Sequence, residues 1–458
     1  MGEPADTALS PAQEAQIGAR IVGQFYQYEY VLEDAQITEY LQKLGWKLAA
    51  ASGTNPPHLR FFMVKDRRIN AFALPGGYMG FNAGLITAAS SESELAGVFA
   101  HELAHVTQRH IARSANASGG VTSFATWLAV LAAIIAGSGD SDVVLGALAL
   151  GQASEYQRQV NFTRANELEA DRLGIRTLSA AGFDTQGMAS FFQRLEQQSR
   201  LYGSGVPEFL RTHPVNTTRI AEARSRAAGL PRHEVDSSLE FKLIRARTQV
   251  LAARKPSDAV QTFGALIQAG QNTLEHQYGL ALAFHSLGQN ARAAETLQDA
   301  LKGHPRQPSL NLLQAAIDFQ LEGHQVGLSR YARILRHHPR HAPAILEYAR
   351  ALITADRSED ARQLLLSHEQ ALGTHLETYR LLSQAARDVG NKAEASYQMA
   401  NFLFKRGDAG GALSQLDAGL RLADLGDQDR ARLSARRAEV RQALPEDWQP
   451  ERQQVRRR

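Results

Sequence analysis

The chain contains 458 residues, of which 44% are hydrophobic and 21% are charged, and it has no cysteine. This length and hydrophobicity favour two or three domains with a sizeable buried core, and they exclude a wholly disordered protein. Without cysteine, the protein cannot contain a disulfide scaffold, a thiolate metal site or a cysteine nucleophile, so any metal must be bound by His, Asp or Glu.

Charge is nearly balanced, with 50 Lys and Arg against 47 Asp and Glu and a formal net charge of +3. The sequence has no basic stripe interleaved with aromatic residues, so it predicts no nucleic-acid partner. Arginines within residues 446–458 supply much of the excess charge and indicate a solvated basic tail. Residues 1–6 have neither a positive nor an apolar region and predict no signal peptide, which leaves the compartment open.

Two segments near residue 70 predict a small β-sheet. Residues 58–65 (HLRFFMVK) and 71–81 are rich in aromatic and apolar side chains. The turn Pro75-Gly76-Gly77 divides the second segment, so we expect strands on both sides of it.

A helix is predicted to begin at Ser91 or Ser93 and to run to about Arg113. Either serine can cap it, and the glutamates of its first turn suit the positive end of the helix dipole. At its centre stands the motif His101-Glu102-Leu103-Ala104-His105. Imidazoles four residues apart lie on one helical face and can bind one ion, while Glu102 can accept a proton from a water molecule activated by Zn²⁺.

This motif supplies two of the three protein ligands that a catalytic zinc ion requires. His110 lies nine positions after His101, about 180° round a continuous helix, so it is rejected as a ligand and interpreted as a surface histidine or a partner of a ligand. Farther along, Glu167 and Asp171 share one helical face, with Glu169 about 200° away from Glu167. Glu167 can be the third ligand while Asp171 hydrogen-bonds a histidine or helps to donate a proton, although periodicity alone also fits a solvated acidic face.

Between these motifs lies an uncharged stretch at residues 114–139 with an apolar run at 124–136, and a second apolar run at 143–150 follows a turn that contains Asp140 and Asp142. The first run is shorter than the roughly 20 residues that a transmembrane helix needs. We therefore predict a buried or interfacial helical hairpin at 124–150, with a membrane-surface contact as the alternative.

From about residue 238 the sequence predicts consecutive helices with a regular period. Turn residues recur at spacings of 34, 35, 33 and 34, at Arg254, Gly288, Gly323, Asp356 and Gly390. Five positions after each turn stand Ala259, Ala293, Leu328, Ala361 and Ala395, and the prolines that close helices, Pro305 and Pro339, keep the same step. This period resembles that of tetratricopeptide repeats, which stack helical hairpins into a superhelix, although an ordinary helical bundle remains an alternative.

The paired motifs carry a more specific resemblance. His101-Glu102-x-x-His105 with Glu167-x-x-Ala170-Asp171 resembles the metallopeptidase family that includes HtpX and the CAAX prenyl protease. With Asn70-Ala71-Phe72-Ala73 before a glycine turn and the C-terminal repeats, nearly the whole chain resembles the β-barrel assembly-enhancing proteases. The resemblance implies that His101, His105 and Glu167 bind one Zn²⁺ per chain, that Glu102 is the catalytic base and that Asp171 donates a proton.

The same resemblance draws attention to three further places. It implies that His213 can act as an autoinhibitory fourth zinc ligand, whereas by itself it is a loop histidine. Arg219 is a candidate contact for a substrate carbonyl or oxyanion, or else forms a surface ion pair. Asn70, Ala71, Phe72 and Ala73 form a candidate edge strand that pairs with an extended substrate, or else a purely structural strand.

The predicted fold is mainly α. A zincin-like α+β metallopeptidase domain with a small sheet is expected over residues 1–232, an α-solenoid of tetratricopeptide repeats over 238–445, and a basic tail over 446–458. The boundary is predicted where Gly229-Leu230-Pro231 and Asp236-Ser237-Ser238 interrupt the helical pattern.

The resemblance implies a periplasmic zinc endopeptidase that degrades misassembled outer-membrane proteins and assists their assembly. Its expected partners are unfolded or misassembled outer-membrane proteins and the barrel-assembly machinery, with the repeats recruiting either the substrate or the machinery. A peripheral membrane contact through residues 124–150 is the alternative to a buried hairpin there. A chaperone-like adaptor with a latent metal site is the alternative function.

Overall fold

The computed structural model describes residues 10–54, 58–117, 164–202, 207–373 and 375–444. Within these ranges the protein is mainly helical and contains one three-stranded sheet. The described residues form two compact units, the first from residues 10–21, 30–33 and 40–252, and the second from residues 22–29, 34–39 and 253–444.

The predicted helical hairpin at 124–150 and the predicted tail at 446–458 lie outside the described residues. Among the residues that the structure does describe, no helix is both long enough and apolar enough to cross a membrane.

The structure describes ten α-helices within the first 252 residues, among them the central helix α4. They are α1 (Pro11–Gln27), α2 (Ala35–Ala51), α3 (Ala83–Ala88), α4 (Glu92–Thr107), α5 (His110–Ala117), α6 (Arg164–Ala180), α7 (Gly187–Tyr202), α8 (Glu208–Thr212), α9 (Thr217–Ala228) and α10 (Leu239–Leu251). Helix α10 belongs to the first unit, because its Phe241 ring packs 6.4 Å from that of Tyr40 and the backbone N–H of Ser238 donates to Glu92.

The sheet predicted around residue 70 is present. Its strands are β1 (Arg60–Val64), β2 (Ala71–Leu74) and β3 (Tyr78–Asn82), in the order β1-β3-β2. Strand β3 pairs in parallel with β1 and antiparallel with β2, so β2 lies at one edge of the described sheet. The Phe81 ring of β3 stacks on Phe99 of α4 with centroids 3.7 Å apart, which fixes the sheet against the central helix.

Helix α4 begins as predicted but ends earlier than predicted. Ser91 is the N-cap, and its Oγ accepts the backbone N–H of Glu94 at 3.2 Å. The prediction that this helix continues to Arg113 is wrong, because α4 ends at Thr107 and Arg109 adopts a φ of 49°. A left-handed residue interrupts the helical hydrogen-bond ladder, so α5 starts as a separate helix at His110.

Helix α6 packs closely along α4 next to the motif His101–His105. Gly174 of α6 makes this approach possible, since a Cβ on Gly174 would lie 3.2 Å from the backbone nitrogen of His101. The close packing places the first two turns of α6 beside the buried motif histidines.

In the second unit, the described residues 253–444 form helices that pack on their neighbours in sequence. They are α11 (Pro256–Gln268), α12 (Leu274–Ser286), α13 (Asn290–Gly303), α14 (Pro308–Leu321), α15 (His324–His337), α16 (Ala342–Thr354), α17 (Ser358–Ser367), α18 (Glu369–Leu372), α19 (Leu376–Asp388), α20 (Lys392–Lys405), α21 (Ala409–Leu420) and α22 (Asp427–Gln442). Pairs such as α12 with α13, α14 with α15, and α19 with α20 form successive helical hairpins.

The predicted repeat pattern explains these hairpins. Gly288, Gly323, Asp356 and Gly390 have positive φ angles in the turns, whereas Arg254 does not. The five residues that follow the turns at the predicted offset are all at most 8% exposed: Ala259, Ala293, Leu328, Ala361 and Ala395. The predicted architecture, a mainly α protein with a small sheet followed by a helical solenoid of repeats, is confirmed.

Gly77→Ala is expected to destabilise the first unit. Gly77 has a φ of 82°, and a Cβ there would lie 1.8 Å from the carbonyl oxygen of His58. The left-handed conformation alone costs an alanine about 1–2 kcal/mol, and the backbone clash adds to this. We therefore expect the free energy of unfolding in chemical denaturation to fall by more than about 2 kcal/mol. The matched control is Gly53→Ala, because Gly53 has a φ of 69° and no atom within 4 Å of its would-be Cβ. An equal loss of unfolding free energy in both variants would contradict the idea that a backbone clash adds to the cost at Gly77.

Candidate metal centre

Four buried side chains converge on one point in the first unit. His101 and His105 extend from α4, Glu167 extends from α6, and His213 follows α8. One ligand atom from each residue lies within 4.8 Å of the other three. Each side chain belongs to a residue that is at most 3% exposed, so this metal cluster, as we call the four, is shielded from solvent.

The distances within the metal cluster fit one tetrahedral ion. The Nε2 atoms of His101 and His105 are 3.0 Å apart, and each lies 3.5 Å from one carboxylate oxygen of Glu167. The Nδ1 atom of His213 lies 3.3 Å from Nε2 of His101. Ligands bound at about 2.0–2.1 Å to a tetrahedral zinc ion are about 3.3 Å from one another. Imidazole and carboxylate ligands with these separations therefore fit a zinc site.

Glu102 lies beside the metal cluster and is almost completely buried. Its Oε1 atom is 3.3 Å from Nε2 of His213, and the backbone N–H of Ala73 in β2 donates to its carboxylate. Burial raises the pKa of Glu102, although the nearby imidazoles and the Ala73 hydrogen bond act in the opposite direction. The carboxyl group therefore lies between the metal cluster and the predicted edge strand, with a raised pKa.

Asp171 and Arg219 support the side of the metal cluster formed by His101. The Oδ1 atom of Asp171 is 3.0 Å from Nδ1 of His101. Arg219 donates from Nε and Nη2 to the two carboxylate oxygens of Asp171, each at 2.8 Å. Its Nη1 atom lies 2.8 Å from Oε2 of Glu167 and donates to the carbonyl oxygen of Pro214. Arg219 is 2% exposed and therefore forms a buried ion-pair network instead of a surface pair.

This network shifts the pKa values of its members. Burial opposes charging of His101, but hydrogen bonds to Asp171 and Glu167 outweigh it and raise the pKa of His101 to about 9. Burial likewise opposes ionisation of Asp171, yet hydrogen bonds from His101 and Arg219 lower its pKa. The interaction with Arg219 keeps Asp171 ionised as a hydrogen-bond acceptor.

His110 contacts the second motif histidine. Since α4 ends before Arg109, the His110 ring approaches α4, and its Nδ1 atom lies 2.8 Å from Nδ1 of His105. Its Nε2 atom is 3.2 Å from Oε2 of Glu169, which also accepts from Arg113. Burial lowers the pKa of His110. The sequence left two roles open for His110, a surface histidine or a partner of a ligand, and in the structure it contacts a motif histidine. The contact of His110 with Glu169 was not predicted.

Residues 207–214, here called the His213 segment, contact the two residues that precede the predicted edge strand. The backbone N–H of Phe209 donates to the carbonyl oxygen of Ile69 at 3.1 Å, and Glu208 pairs with Arg68 at 2.9 Å. The Phe209 ring stacks on His213 with centroids 4.9 Å apart. These contacts place His213 at the metal cluster, where Nδ1 is 3.1 Å from Oε1 of Glu167.

Comparison with known proteins assigns the family. The model of peptidase family M48 matches residues 35–227, which include every residue of the metal cluster. A protein named putative beta-barrel assembly-enhancing protease from Vibrio cholerae is 33% identical over 441 residues, covering 95% of this chain and 90% of that protein. The beta-barrel assembly-enhancing protease of Escherichia coli is 31% identical over 456 residues, covering 98% and 92% respectively. The chain belongs to peptidase family M48.

The family assignment makes this protein a metallopeptidase and confirms the resemblance found in its sequence. A second group of relatives matches only part of the chain. The mitochondrial metalloendopeptidase OMA1 of Arabidopsis thaliana is 29% identical over 191 residues, or 42% of this chain and 36% of that protein. The similarity to the two beta-barrel assembly-enhancing proteases, in contrast, extends through the C-terminal repeats.

Arg219→Ala is expected to destabilise this M48 peptidase even without metal. The variant leaves Asp171 and Glu167 buried without their shared cation, and removing one partner of a buried pair typically costs about 3–5 kcal/mol. Chemical denaturation of the metal-free protein measures this loss. Arg226→Ala on the same helix is the matched control, because Arg226 is exposed. A loss below about 1 kcal/mol for Arg219→Ala would contradict the stabilising role of the network.

Proposed function

We propose that this M48 metallopeptidase is a zinc endopeptidase whose active site is the metal cluster with Glu102. The observation that carries the proposal is the convergence of two imidazoles and the Glu167 carboxylate at zinc-ligand spacing, with a buried carboxyl group alongside. His101, His105 and Glu167 would hold one Zn²⁺ per chain. A zinc ion there would polarise the scissile carbonyl group and acidify a water molecule.

Glu102 is the proposed general base. It accepts a proton from the attacking water at its carboxylate and returns it to the leaving amine. Its burial and its position beside the cluster suit it to both steps. For Asp171, the contact with His101 Nδ1 favours orienting that imidazole over direct proton donation, and Arg219 fixes Asp171 in place.

We propose that substrates bind as extended peptides along β2. Asn70 and Phe72 face β3, since the Asn70 carbonyl accepts from Asn82 and Phe72 pairs with Gly80. Backbone groups alternate along a strand, so those of Ile69, Ala71 and Ala73 face the free edge. At this edge Ala73 already contacts Glu102, which places a bound peptide next to the general base.

His213 is the proposed regulatory ligand. Its ring lies between Glu102 and Glu167, where a substrate carbonyl group would have to enter. A peptidase with His213 in this position is inactive until the His213 segment moves. The same contact favours a second role, because a protein with a blocked site can still act as an adaptor that assists assembly without cleavage.

We further propose that the protein acts in the periplasm on misassembled outer-membrane proteins and supports their assembly. The support is the similarity, over both units, to relatives named beta-barrel assembly-enhancing proteases. The helical repeats are proposed to recruit substrates or the barrel-assembly machinery, since stacked hairpins provide an extended binding surface.

The zinc proposal predicts one zinc ion per chain in purified wild-type protein and loss of that ion in Glu167→Ala. Glu102→Gln should keep the zinc but lower the rate of cleavage of an unfolded protein such as casein by roughly 10²–10⁴-fold, the usual contribution of a general base. Metal content and cleavage are measured on the same preparations, with Glu222→Gln of α9 as the control. Full cleavage by Glu102→Gln would refute its role, and a wild type that binds no zinc would refute the site.

His213→Ala is expected to raise the cleavage rate several-fold, because it removes the side chain that lies between Glu102 and Glu167. Initial rates with casein at saturating zinc measure the effect. An activity that falls to the level of Glu102→Gln would show that His213 is required for catalysis and would overturn the regulatory role.

A further inference from the structure

A line of hydrogen-bonding groups leads from His105 away from the metal cluster. His105 Nδ1 meets His110 Nδ1 at 2.8 Å, and His110 Nε2 meets Glu169 Oε2 at 3.2 Å. Arg113 donates to the same Glu169 oxygen at 3.1 Å. His110 is completely buried, whereas Glu169 is about a quarter exposed at 26% of its side chain. The line therefore connects a motif histidine to the protein surface.

The protons along this line can be placed from geometry. His105 Nε2 faces the metal cluster, 3.0 Å from His101 Nε2, so a metal-binding His105 must carry its proton on Nδ1. That N–H donates to His110 Nδ1, which must then be unprotonated. The proton of neutral His110 consequently lies on Nε2 and is donated to Glu169. His105 thus donates to His110, and His110 donates to Glu169.

The two motif histidines differ in their supports. The Nδ1 atom of His101 lies 3.0 Å from the Asp171 carboxylate, which Arg219 holds, whereas the Nδ1 atom of His105 lies beside an imidazole. The alternative is that His110 is a packed core histidine whose polar atoms are satisfied by chance neighbours. That alternative does not explain why its Nδ1 atom meets the one nitrogen of His105 that faces away from the cluster.

We propose that His110 and Glu169 are positioning residues that fix the tautomer and ring orientation with which His105 binds the metal. His110 acts directly on His105, and Glu169 acts through His110 by accepting from its Nε2 atom. The inference rests on the proposed zinc site and adds two residues to it. Hydrogen-bond partners of metal-binding histidines typically contribute about 10–100-fold in metal affinity.

The affinity of the full-length protein for Zn²⁺, measured by competition with a chelator, tests the proposal. His110→Ala is expected to raise the dissociation constant roughly 10–100-fold. His110→Asn should recover part of this loss, because its side-chain oxygen can accept from His105 in place of Nδ1. His304→Ala in the second unit is the matched control and should bind zinc as the wild type does. A folded His110→Ala variant with wild-type affinity, or a His110→Asn variant no better than His110→Ala, would overturn the acceptor role.

A double-mutant comparison tests the order of the line. Glu169→Ala should weaken zinc binding less than His110→Ala, and the double variant should bind no more weakly than His110→Ala alone. Fully additive losses would show that Glu169 acts independently of His110 and would overturn this part of the proposal. If His110→Ala does not fold, His110→Asn and Glu169→Gln decide the question, since unchanged zinc affinity in both overturns the proposal.

Cobalt substitution supplies a readout that simple destabilisation does not change. The visible absorption of bound Co²⁺ depends on ligand geometry, so His110→Ala should shift the spectrum and His304→Ala should not. An unshifted spectrum in His110→Ala overturns the positioning role. A wild type that binds neither Zn²⁺ nor Co²⁺ refutes the proposed function itself, whereas unchanged variants of a metal-binding wild type refute this inference alone.

Discussion

The desolvation of three carboxyl groups in one interior is the constraint on which the first unit depends. Glu102, Glu167 and Asp171 are each at most 3% exposed, and an isolated carboxylate in such a place would cost several kcal/mol. Arg219 offsets this cost for Glu167 and Asp171 with three contacts of 2.8 Å. For Glu102 the neighbouring His213 and His101 oppose the effect of burial, but burial outweighs them and raises its pKa. The apolar surroundings that make the carboxyl groups costly thus also support the proposed role of Glu102 as a base.

The packing of the first unit brings these groups together. Phe81 and Phe99 join the sheet to α4, and Gly174 allows α6 to lie against the backbone of His101. Helix α9 then delivers Arg219, whose guanidinium group lies over the Phe192 ring at 5.2 Å. Because each contact involves a different element, the geometry of the metal cluster depends on the whole unit and not on the motif helix alone.

Which features the sequence could predict depends on how far apart in the sequence the interacting residues are. The motif histidines share a helical face, and Ser91 caps its helix, because both relations are local. The repeat turns could likewise be predicted, because they recur at a regular spacing of 33 to 35 residues. The interruption of the helix at Arg109 could not be predicted, since neither glycine nor proline occurs there. The contact of His110 with His105 depends on that interruption. Similarly, the buried ion pairs of Arg219 join residues 48 and 52 positions apart, for which no local pattern exists.

The proposed edge strand and the proposed regulatory histidine are linked through one backbone group. Ile69 precedes β2 on the same outer edge as Ala71 and Ala73, and its carbonyl oxygen already accepts the N–H of Phe209 from the His213 segment. In the proposed function, a peptide that pairs with this edge as far as Ile69 competes for the same carbonyl group. Phe209 also stacks on His213, so loss of its hydrogen bond weakens the support of the ring that lies beside Glu102. In this proposal, substrate pairing and opening of the site are two consequences of one exchange of hydrogen bonds.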